Sequence, residues 1–262
     1  MSLRKWRLIE SKEVSAAWNM AVDEALLRLF APGDMPVLRL YRWEPALSFG
    51  RFSKPAESVD IDLAQRRGIA CVRRITGGGI LIHGGDLSYS LVLPSTFARE
   101  HGVKGSYRLL CRFLIRLYEK LGFVARFAQE AKLPESRSDI CLAGHEAYDI
   151  VIGDRKIGGN AQRHTHDAML QHGSVPLFYD RELFEPLFPK ASGFGESVSL
   201  KELDESISFE SLREMMKEAF CETFEADLVE NGLDDDERTL AKRLCETKYT
   251  RKRWNLDGKE SD

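Results

Sequence analysis

Residues 73–83 read RRITGGGILIH, with three consecutive glycines between apolar segments of the kind that form β-strands. Glycine at such a position either adopts a positive φ in a turn or lets another group approach the peptide backbone closely. The first interpretation predicts a simple hairpin or bulge, and the second predicts a ligand-binding wall. Because charged and proton-handling side chains flank the glycines at Arg73, Arg74 and His83, we favour the second.

Length and composition limit the class of protein. The chain has 262 residues, 43% hydrophobic and 30% charged, which is enough for one large domain or two small ones. Its formal net charge is only -3, so no global field points to a nucleic acid or an acidic membrane as partner. The sequence contains neither a long apolar span nor a signal-peptide core, and we therefore expect a cytoplasmic protein.

The cysteines indicate a possible nucleophile. Five of them, at positions 71, 111, 141, 221 and 245, form no CxxC pair, which argues against a disulfide framework and a structural zinc site. Cys141 lies in a short polar loop, where basic neighbours can lower the pKa of a thiol. Its competitor Cys71 lies within an apolar strand and is more simply a core residue. Cys141 is therefore the candidate nucleophile.

Two local patterns near the N-terminus lead to structural predictions. Residues 15–30 have apolar side chains at helical spacing, and the intervening Asn19, Asp23 and Glu24 are expected on a solvated face. Residues 36–43 and 46–51 predict two strands that pair across a Glu-Pro turn.

Arginines in those two strands have different expected roles. Arg39 and Arg42 can simply face solvent on a half-buried strand. Arg51 follows a glycine at the end of the second strand, so it is the better candidate for contact with a ligand.

A lysine beside further glycines is the other candidate for chemistry. Residues 149–162 predict a hairpin whose returning strand carries Lys156, shortly before Gly158 and Gly159. A lysine on a strand is usually a surface residue with its ammonium in water. Beside unshielded backbone, binding of an anion or a carbonyl oxygen is an equally open interpretation.

Several segments in order resemble the lipoate/octanoate–protein ligase and transferase family. They are residues 19–27 (NMAVDEALL), 36–51, 73–83, 86–90 (DLSYS) and 155–162 (RKIGGNAQ). The resemblance implies a single α/β (α+β) catalytic domain over residues 1–262, like the class II biotin/lipoyl ligases. Mixed β-sheets would surround an acyl tunnel with helices packed outside, and a C-terminal helical extension would begin at about residue 205. We place its helices at about 208–229 and 236–246.

The resemblance also implies the residues that bind substrate. Lys156 would bind the acyl carbonyl or an acyl-adenylate phosphate, and the three glycines would line the tunnel. The substrate-binding set is Arg51, Arg73, Arg74, Thr76, Gly77, Gly78, Gly79, His83, Gly158 and Gly159. The chain departs from the family pattern at Ser53, commonly glutamine, and at Gly84-Gly85, where a polar pair is expected.

Within this family, Cys141 separates two chemistries. It lies fifteen residues before Lys156, a position that resembles the nucleophile of the cysteine-dependent octanoyltransferases. This implies transfer of octanoate from octanoyl-acyl carrier protein, through a Cys141 thioester, to a lysine of a lipoyl domain or glycine cleavage H protein. No cofactor would be needed, and either His83 or His145 could assist proton transfer. The alternative is a lipoate–protein ligase, which would use ATP and magnesium to form an acyl-adenylate.

A different class of protein is also compatible with the sequence. His164, His166 and His172, with Cys141 or His145, could supply ligands for zinc in a non-catalytic metal-binding protein. Their spacing is generic, so this hypothesis is the weakest, and we expect no metal.

Overall fold

The structure is a computed structural model that describes residues 4–133, 146–189 and 193–259. Its strands are β1 (Lys5–Val14), β2 (Val37–Trp43), β3 (Ala46–Phe49), β4 (Ala70–Arg73), β5 (Ile80–His83), β6 (Asp86–Pro94), β7 (Ala125–Phe127), β8 (Ile150–Ile152), β9 (Arg155–Lys156), β10 (Gly159–His164), β11 (Ala168–Pro176) and β12 (Asp227–Glu230).

The α-helices are α1 (Ala16–Leu29), α2 (Pro55–Ser58), α3 (Ile61–Arg66), α4 (Ser95–Lys120), α5 (Arg181–Phe184), α6 (Leu200–Leu203), α7 (Phe209–Phe224), α8 (Asp235–Leu244) and α9 (Lys252–Asn255). Short 3-10 turns follow at Glu185–Leu187 and Phe194–Glu196, and a π-helical turn at Cys245–Tyr249 extends α8. Within the described part of the chain, no helix is long and apolar enough to cross a membrane.

The main sheet has six strands in the order β10-β11-β6-β2-β1-β12. Strand β1 runs parallel to β2 and β12, whereas the other neighbours are antiparallel. Because side chains of a strand alternate between faces, β2 contributes Leu38 and Leu40 to a core under α4 and α7. It contributes Val37 and Tyr41 to a second core under α1 and α8. The sheet is therefore covered on both faces.

Two small sheets complete the structure, with orders β4-β3-β5 and β7-β8-β9. Strand β3 pairs with β4 in parallel and with β5 in antiparallel orientation. The predicted hairpin between residues 36–43 and 46–51 is therefore wrong, since β2 and β3 belong to different sheets. The reason is that β1 and β6 already occupy both edges of β2, so β3 has no free edge there.

The polar side chains of α1 are buried, contrary to the solvated face predicted for them. Asn19, Asp23 and Glu24 are at most 2% exposed, because α1 lies between the main sheet and α8. Arg39, also predicted to face solvent, is fully buried and donates to Asp23 (2.8 Å). Glu24 accepts from Lys248 at 3.1 Å. Ion pairing makes burial of these charges possible.

The chain beyond residue 205 contributes a strand as well as helices. Helix α7 ends at Phe224, earlier than the predicted boundary near residue 229, and Glu225 adopts a left-handed conformation with φ of 49°. Residues 227–230 then pair with β1 as β12, so this region completes one edge of the main sheet. The apolar pattern alone did not separate the end of the helix from the short strand.

Candidate functional site

The glycine loop, residues 76–79, connects β4 to β5 and packs against another part of the backbone. Gly50 N donates to Gly79 O at 3.1 Å, and a Cβ on Gly50 would lie only 1.7 Å from Gly78 O. Gly78 itself has φ of 91°, a conformation that favours glycine. Gly77 has open space around its Cα, since an added Cβ would meet nothing within 4 Å. One group that closely approaches the backbone of the glycine loop is therefore Gly50 of the same chain.

The guanidinium of Arg73 holds the chain together on one side of this loop. It donates at 2.7–3.2 Å to the carbonyl oxygens of Gly50, Arg51, Ser53, Trp254 and Leu256. The indole of Trp254 returns a hydrogen bond to the Arg73 carbonyl at 2.9 Å. Burial and the charge of Arg51 lower the pKa of Arg73. The side chain thus anchors the C-terminal segment to β3 and β4.

The other two arginines proposed to bind substrate also contact backbone carbonyls. Arg74 donates to the carbonyl and hydroxyl of Ser48 at 2.7 and 2.6 Å, and to Gly79 O at 2.9 Å. Arg51 donates to Gly258 O at 2.9 Å and lies over the Trp254 ring. These cations fix the glycine loop and the end of β3.

A narrow cavity of about 20 Å³ lies beside the loop. Its lining combines apolar side chains with buried polar groups from β2, β5, β6, β10 and β11. The lining residues are Met20, Tyr41, Trp43, Arg74, Gly78, Leu81, His83, Ser88, Asn160, Ala161, His172 and Gly173. Sequence patterns singled out only Arg74, Gly78 and His83 as substrate contacts. The others come from separate elements, and their convergence depends on strand order.

His83 is one of two buried histidines in this lining, and it is held by residues of three strands. Its Nε2 lies 2.7 Å from Ser48 Oγ, its Nδ1 lies 3.0 Å from Asp86 Oδ2, and its ring stacks on Trp43 at 4.0 Å. Because Ser48 Oγ already accepts a hydrogen bond from Arg74, we assign Ser48 Oγ as the donor to His83 Nε2. The ring proton of His83 then lies on Nδ1, which donates to Asp86.

Asp86 orients this histidine as a carboxylate. Burial raises the pKa of Asp86, but interaction with His83 lowers it, and hydroxyl donors add to that effect. The donors are Ser88 and Ser174, at 2.7 and 2.8 Å from Oδ2. The pKa of Asp86 therefore lies below its ordinary value, and the side chain is ionised at neutral pH.

His172 forms a second histidine–aspartate pair across the cavity. Its Nδ1 lies 2.9 Å from Asp23 Oδ2, and its Nε2 lies 2.7 Å from Thr76 Oγ1 in the glycine loop. Burial lowers the pKa of His172 despite the opposing effect of Asp23, so the ring is neutral at pH 7. The sequence missed Asp23 because its position on an amphipathic helix indicated solvent.

Comparison with known proteins identifies the family. The profile of the lipoyl protein ligase A/B catalytic domain matches residues 15–226. The chain belongs to this family. Octanoyltransferase LipM of Kyrpidia tusciae is 36% identical over 272 residues, which cover 97% of this chain and 99% of that protein. LipM of Brevibacillus brevis is 31% identical over 274 residues, with the same coverage.

Solved structures of the lipoyl ligase family share the fold. A lipoate-protein ligase A bound with ATP superposes with a TM-score of 0.84 at 28% identity, covering 96% of this chain and 98% of that one. A bipartite lipoate protein ligase from Thermoplasma acidophilum, studied with its E2 lipoyl domain, gives 0.84 at 26% identity and covers 99% of both chains. The family and the α/β fold expected from the sequence are confirmed, and the chain is an enzyme of this lipoate ligase and octanoyltransferase family.

Lys156 of this lipoyl ligase-family chain is buried beside a carboxylate. Its Nζ donates to Asp149 Oδ2 at 2.6 Å, and only about 6% of the residue is exposed. Glu146 N donates to the same oxygen at 2.8 Å. The ammonium has three protons and this pair uses one of them. Lys156 thus lies in the β8–β9 hairpin four residues before Asn160, which lines the cavity.

The two glycines that follow Lys156 lie close to neighbouring strands, Gly158 to β11 and Gly159 to β5. A Cβ on Gly158 would lie 2.0 Å from Ser174 O, and its φ is 71°. A Cβ on Gly159 would lie 3.1 Å from the Leu81 side chain beside the cavity. Both predicted binding glycines therefore have a packing role. The hairpin predicted over residues 149–162 is confirmed only as far as Lys156, because residues 159–164 pair with β11 in the main sheet.

The candidate nucleophile Cys141 and His145 lie outside the described residues. The cysteines within them are unsuited to nucleophilic attack, since burial raises the pKa of each one: Cys71, Cys111, Cys221 and Cys245. For Cys71, the earlier competitor, burial raises the pKa to about 11, so its thiol stays protonated at neutral pH.

Residues 4–133, 146–189 and 193–259 contain no cluster of side chains that could form the zinc site. No three His, Cys, Asp or Glu side chains there are close enough to hold a metal ion. Of the proposed ligands, His172 has both ring nitrogens engaged with protein side chains.

Proposed function

We propose that this chain is an octanoyltransferase of protein lipoylation. It takes an octanoyl group from acyl carrier protein onto Cys141 as a thioester, and passes it to a lysine of a lipoyl domain or glycine cleavage H protein. Neither ATP nor a metal ion takes part. The LipM relatives support this proposal, because they align with this chain over almost its entire length.

The observation that favours the transferase over ATP-dependent chemistry is that the arginines near the glycine loop are already hydrogen-bonded to the backbone. An arginine that binds the phosphates of ATP or an acyl-adenylate must have N–H groups free to meet them. Arg51, Arg73 and Arg74 instead donate to carbonyl oxygens of their own chain. Binding of a triphosphate beside the glycine loop would require these contacts to break.

The chemical steps need only a thiolate and donors for an oxyanion. The Cys141 thiolate attacks the carbonyl carbon of the donor thioester, and the carrier thiolate leaves. The neutral lysine amine of the acceptor then attacks the acyl-enzyme, the Cys141 thiolate leaves, and the amine loses a proton. Lys156 donates a hydrogen bond from one of its remaining N–H groups to the oxyanion of each step. One such donor is worth roughly 2.7–4 kcal/mol.

The cavity beside the glycine loop receives the octanoyl chain. Trp43, Leu81 and Met20 supply apolar surface there, while the ring nitrogens of His83 and His172 are hydrogen-bonded to protein side chains. Because its volume is only about 20 Å³, side chains must rotate before eight carbons fit. Met20 is suited to this, because methionine has an unbranched and adaptable side chain.

The second candidate is an ATP-dependent lipoate–protein ligase. The observation in its favour is the ATP-bound lipoate-protein ligase A that shares this fold with a TM-score of 0.84. In that reaction Lys156 would bind the acyl-adenylate and Cys141 would be incidental.

One pair of assays separates the candidates. The purified chain is mixed with a lipoyl domain and either octanoyl-acyl carrier protein without nucleotide, or octanoate with ATP and magnesium. We expect octanoylation of the lipoyl domain in the first mixture only. Modification in the second mixture alone would replace the transferase with the ligase.

A further inference from the structure

Asn160 of β10 lines the cavity beside the glycine loop, and the chain uses only one end of its side-chain amide. Oδ1 accepts from the Tyr89 hydroxyl at 2.7 Å, and the backbone carbonyl of Asn160 accepts from Tyr107 at 3.1 Å. Nδ2, by contrast, forms no hydrogen bond with any group among residues 4–133, 146–189 and 193–259. The amide therefore keeps both of its N–H groups for another molecule.

Tyr89 fixes which end of this amide is the donor. The tyrosine hydroxyl has one proton of its own, and it already accepts from Gln171 Nε2 at 3.0 Å. Gln171 is oriented in turn, because its Oε1 accepts from Gln162 Nε2 at 2.7 Å. With the Asn160 amide reversed, the hydroxyl would face two amide donors, and its proton would have no oxygen acceptor in the described part of the chain. We therefore assign Oδ1 to Tyr89 and Nδ2 to the unpaired end.

Gly173 of β11 makes the contact between Asn160 and Tyr89 possible. Strand β11 lies between β10 and β6, and Gly173 pairs with Asn160 on one side and with Tyr89 on the other. A Cβ on Gly173 would lie 2.1 Å from Asn160 Oδ1 and 2.7 Å from Tyr89 Cε1. The two side chains thus meet over a residue that has no side chain, and the register of three strands sets the position of the amide.

The hydroxyl and ring N–H groups of the cavity lining already donate within the chain, to Asp23, Asp86 or Ser88. They belong to Tyr41, Trp43, His83, Ser88 and His172. Apart from Arg74, which donates to Ser48 and Gly79, the rest of the lining is apolar or glycine. An octanoyl group has one polar end, its carbonyl, and a buried carbonyl needs a donor. The Asn160 amide is the lining group that can supply one without breaking a contact described above.

Asn160 also lies on the Lys156 side of the cavity. Tyr107, which donates to the Asn160 carbonyl, has its ring 6.2 Å from the ring of Tyr148. Tyr148 directly precedes Asp149, whose carboxylate accepts from Lys156. Tyr107 therefore connects the amide to the turn that holds the lysine. A carbonyl at this end of the cavity can meet both donors.

We propose that the Asn160 amide is a second donor to the octanoyl carbonyl oxygen, beside Lys156, and that Tyr89 is the positioning residue that orients it. This inference rests on the proposed function for the identity of the acyl group. As the bond from Cys141 sulfur to the carbonyl carbon forms, the π electron pair of the carbonyl moves onto oxygen. The pair returns when the bond to the donor sulfur breaks. Asn160 hydrogen-bonds to the oxyanion throughout and keeps its protons.

Two substitutions of Asn160 test its role in transfer. Asn160→Asp removes the N–H groups but leaves an oxygen for the Tyr89 hydroxyl, and Asn160→Leu removes them without adding charge. In both we expect kcat to fall roughly 10²–10³-fold, as for other oxyanion donors. KM should stay within about threefold, because the donor acts mainly on the transition state. A rise in KM with kcat unchanged would make Asn160 a packing residue and overturn the inference.

The positioning role of Tyr89 and the background effect of amide loss need separate variants. Tyr89→Phe keeps the amide but releases its orientation, so we expect a smaller fall in kcat, about tenfold, again without a comparable change in KM. The matched control is Asn231→Asp, at an exposed position after β12, on the opposite edge of the main sheet from β10. Its carboxylate can still accept from Gly232 N, and both kinetic constants should stay unchanged.

Infrared spectroscopy tests the contact itself, without turnover. Octanoyl-pantetheine labelled with carbon-13 at the carbonyl is bound to the full chain carrying Cys141→Ala, in which no acyl-enzyme can form. A hydrogen bond lowers the stretching frequency of a carbonyl, so we expect the labelled band to move to higher frequency when Asn160→Leu is added. The same frequency in both proteins, or no bound thioester in Cys141→Ala, overturns the inference. Failure of octanoyl transfer by the unsubstituted chain, with the band difference intact, rejects the proposed function alone.

Discussion

The arginine side and the lysine side of the candidate site hold their cations in different ways. Arg73 on β4 is surrounded by neutral carbonyl oxygens of two segments, residues 50–53 and 254–256, whereas Lys156 on β9 meets a single carboxylate. The planar guanidinium of Arg73 donates to backbone carbonyls and so holds these parts of the chain together. The lysine keeps donors for another oxygen. The arginines thus fix the glycine loop to its own chain, and we propose that the Lys156 hairpin is where a substrate carbonyl is polarised.

The largest effect is expected from removal of the arginine clamp. Arg73→Ala leaves several buried carbonyls without donors and detaches the segment around Trp254, so we expect a loss of roughly 5 kcal/mol in the free energy of unfolding. Urea denaturation measures it. Arg66→Ala, at an exposed position on α3, is the control and should change stability by less than about 0.5 kcal/mol. A small effect of Arg73→Ala would mean that its side chain is available for substrate after all.

The next effect separates stability from chemistry on the lysine side. Lys156→Met leaves Asp149 buried and unpaired, which costs roughly 3–5 kcal/mol. In the double variant with Asp149→Asn, the carboxylate charge is gone and most of that stability returns. Transfer should remain lost in both variants, because neither has a cation for the oxyanion. Near-normal turnover in the double variant would remove Lys156 from the mechanism.

A smaller effect concerns pH and the glycine loop. Because burial lowers the pKa of His172, the unfolded chain takes up a proton below pH 6.5 while the folded histidine stays neutral. Stability should fall as the pH drops below 6.5, by at most about 1 kcal/mol from this residue down to pH 5.5. In His172→Asn, whose amide can still donate to Asp23, that slope should be reduced. Equal slopes for both proteins would show that folding does not lower the pKa of His172.

The sequence predicted the family, the α/β class and most helices and strands, because periodicity and glycine placement are local signals. It failed where partners are distant in sequence. Asp23 and Arg39 both looked solvent-facing, and each is buried because the other neutralises it. The sequence did not indicate that Asp149 pairs with Lys156, because that contact depends on the register in which β8 pairs with β9.

The glycine loop illustrates the same limit at the site. Three consecutive glycines indicated a backbone that something approaches closely, and in the structure Gly50 is one such group. The partner could not be identified from sequence, since it depends on β3 lying between β4 and β5. The role of Arg73 likewise depends on the C-terminal residues 254–256, far away along the chain.

The central claim is a covalent octanoyl-enzyme formed on Cys141. Intact-protein mass spectrometry after mixing the chain with octanoyl-acyl carrier protein, without ATP, tests it most directly. We expect a mass increase of one octanoyl group that hydroxylamine removes and that Cys141→Ala abolishes. Absence of the adduct in the unsubstituted chain, or its persistence in Cys141→Ala, would contradict the thioester mechanism.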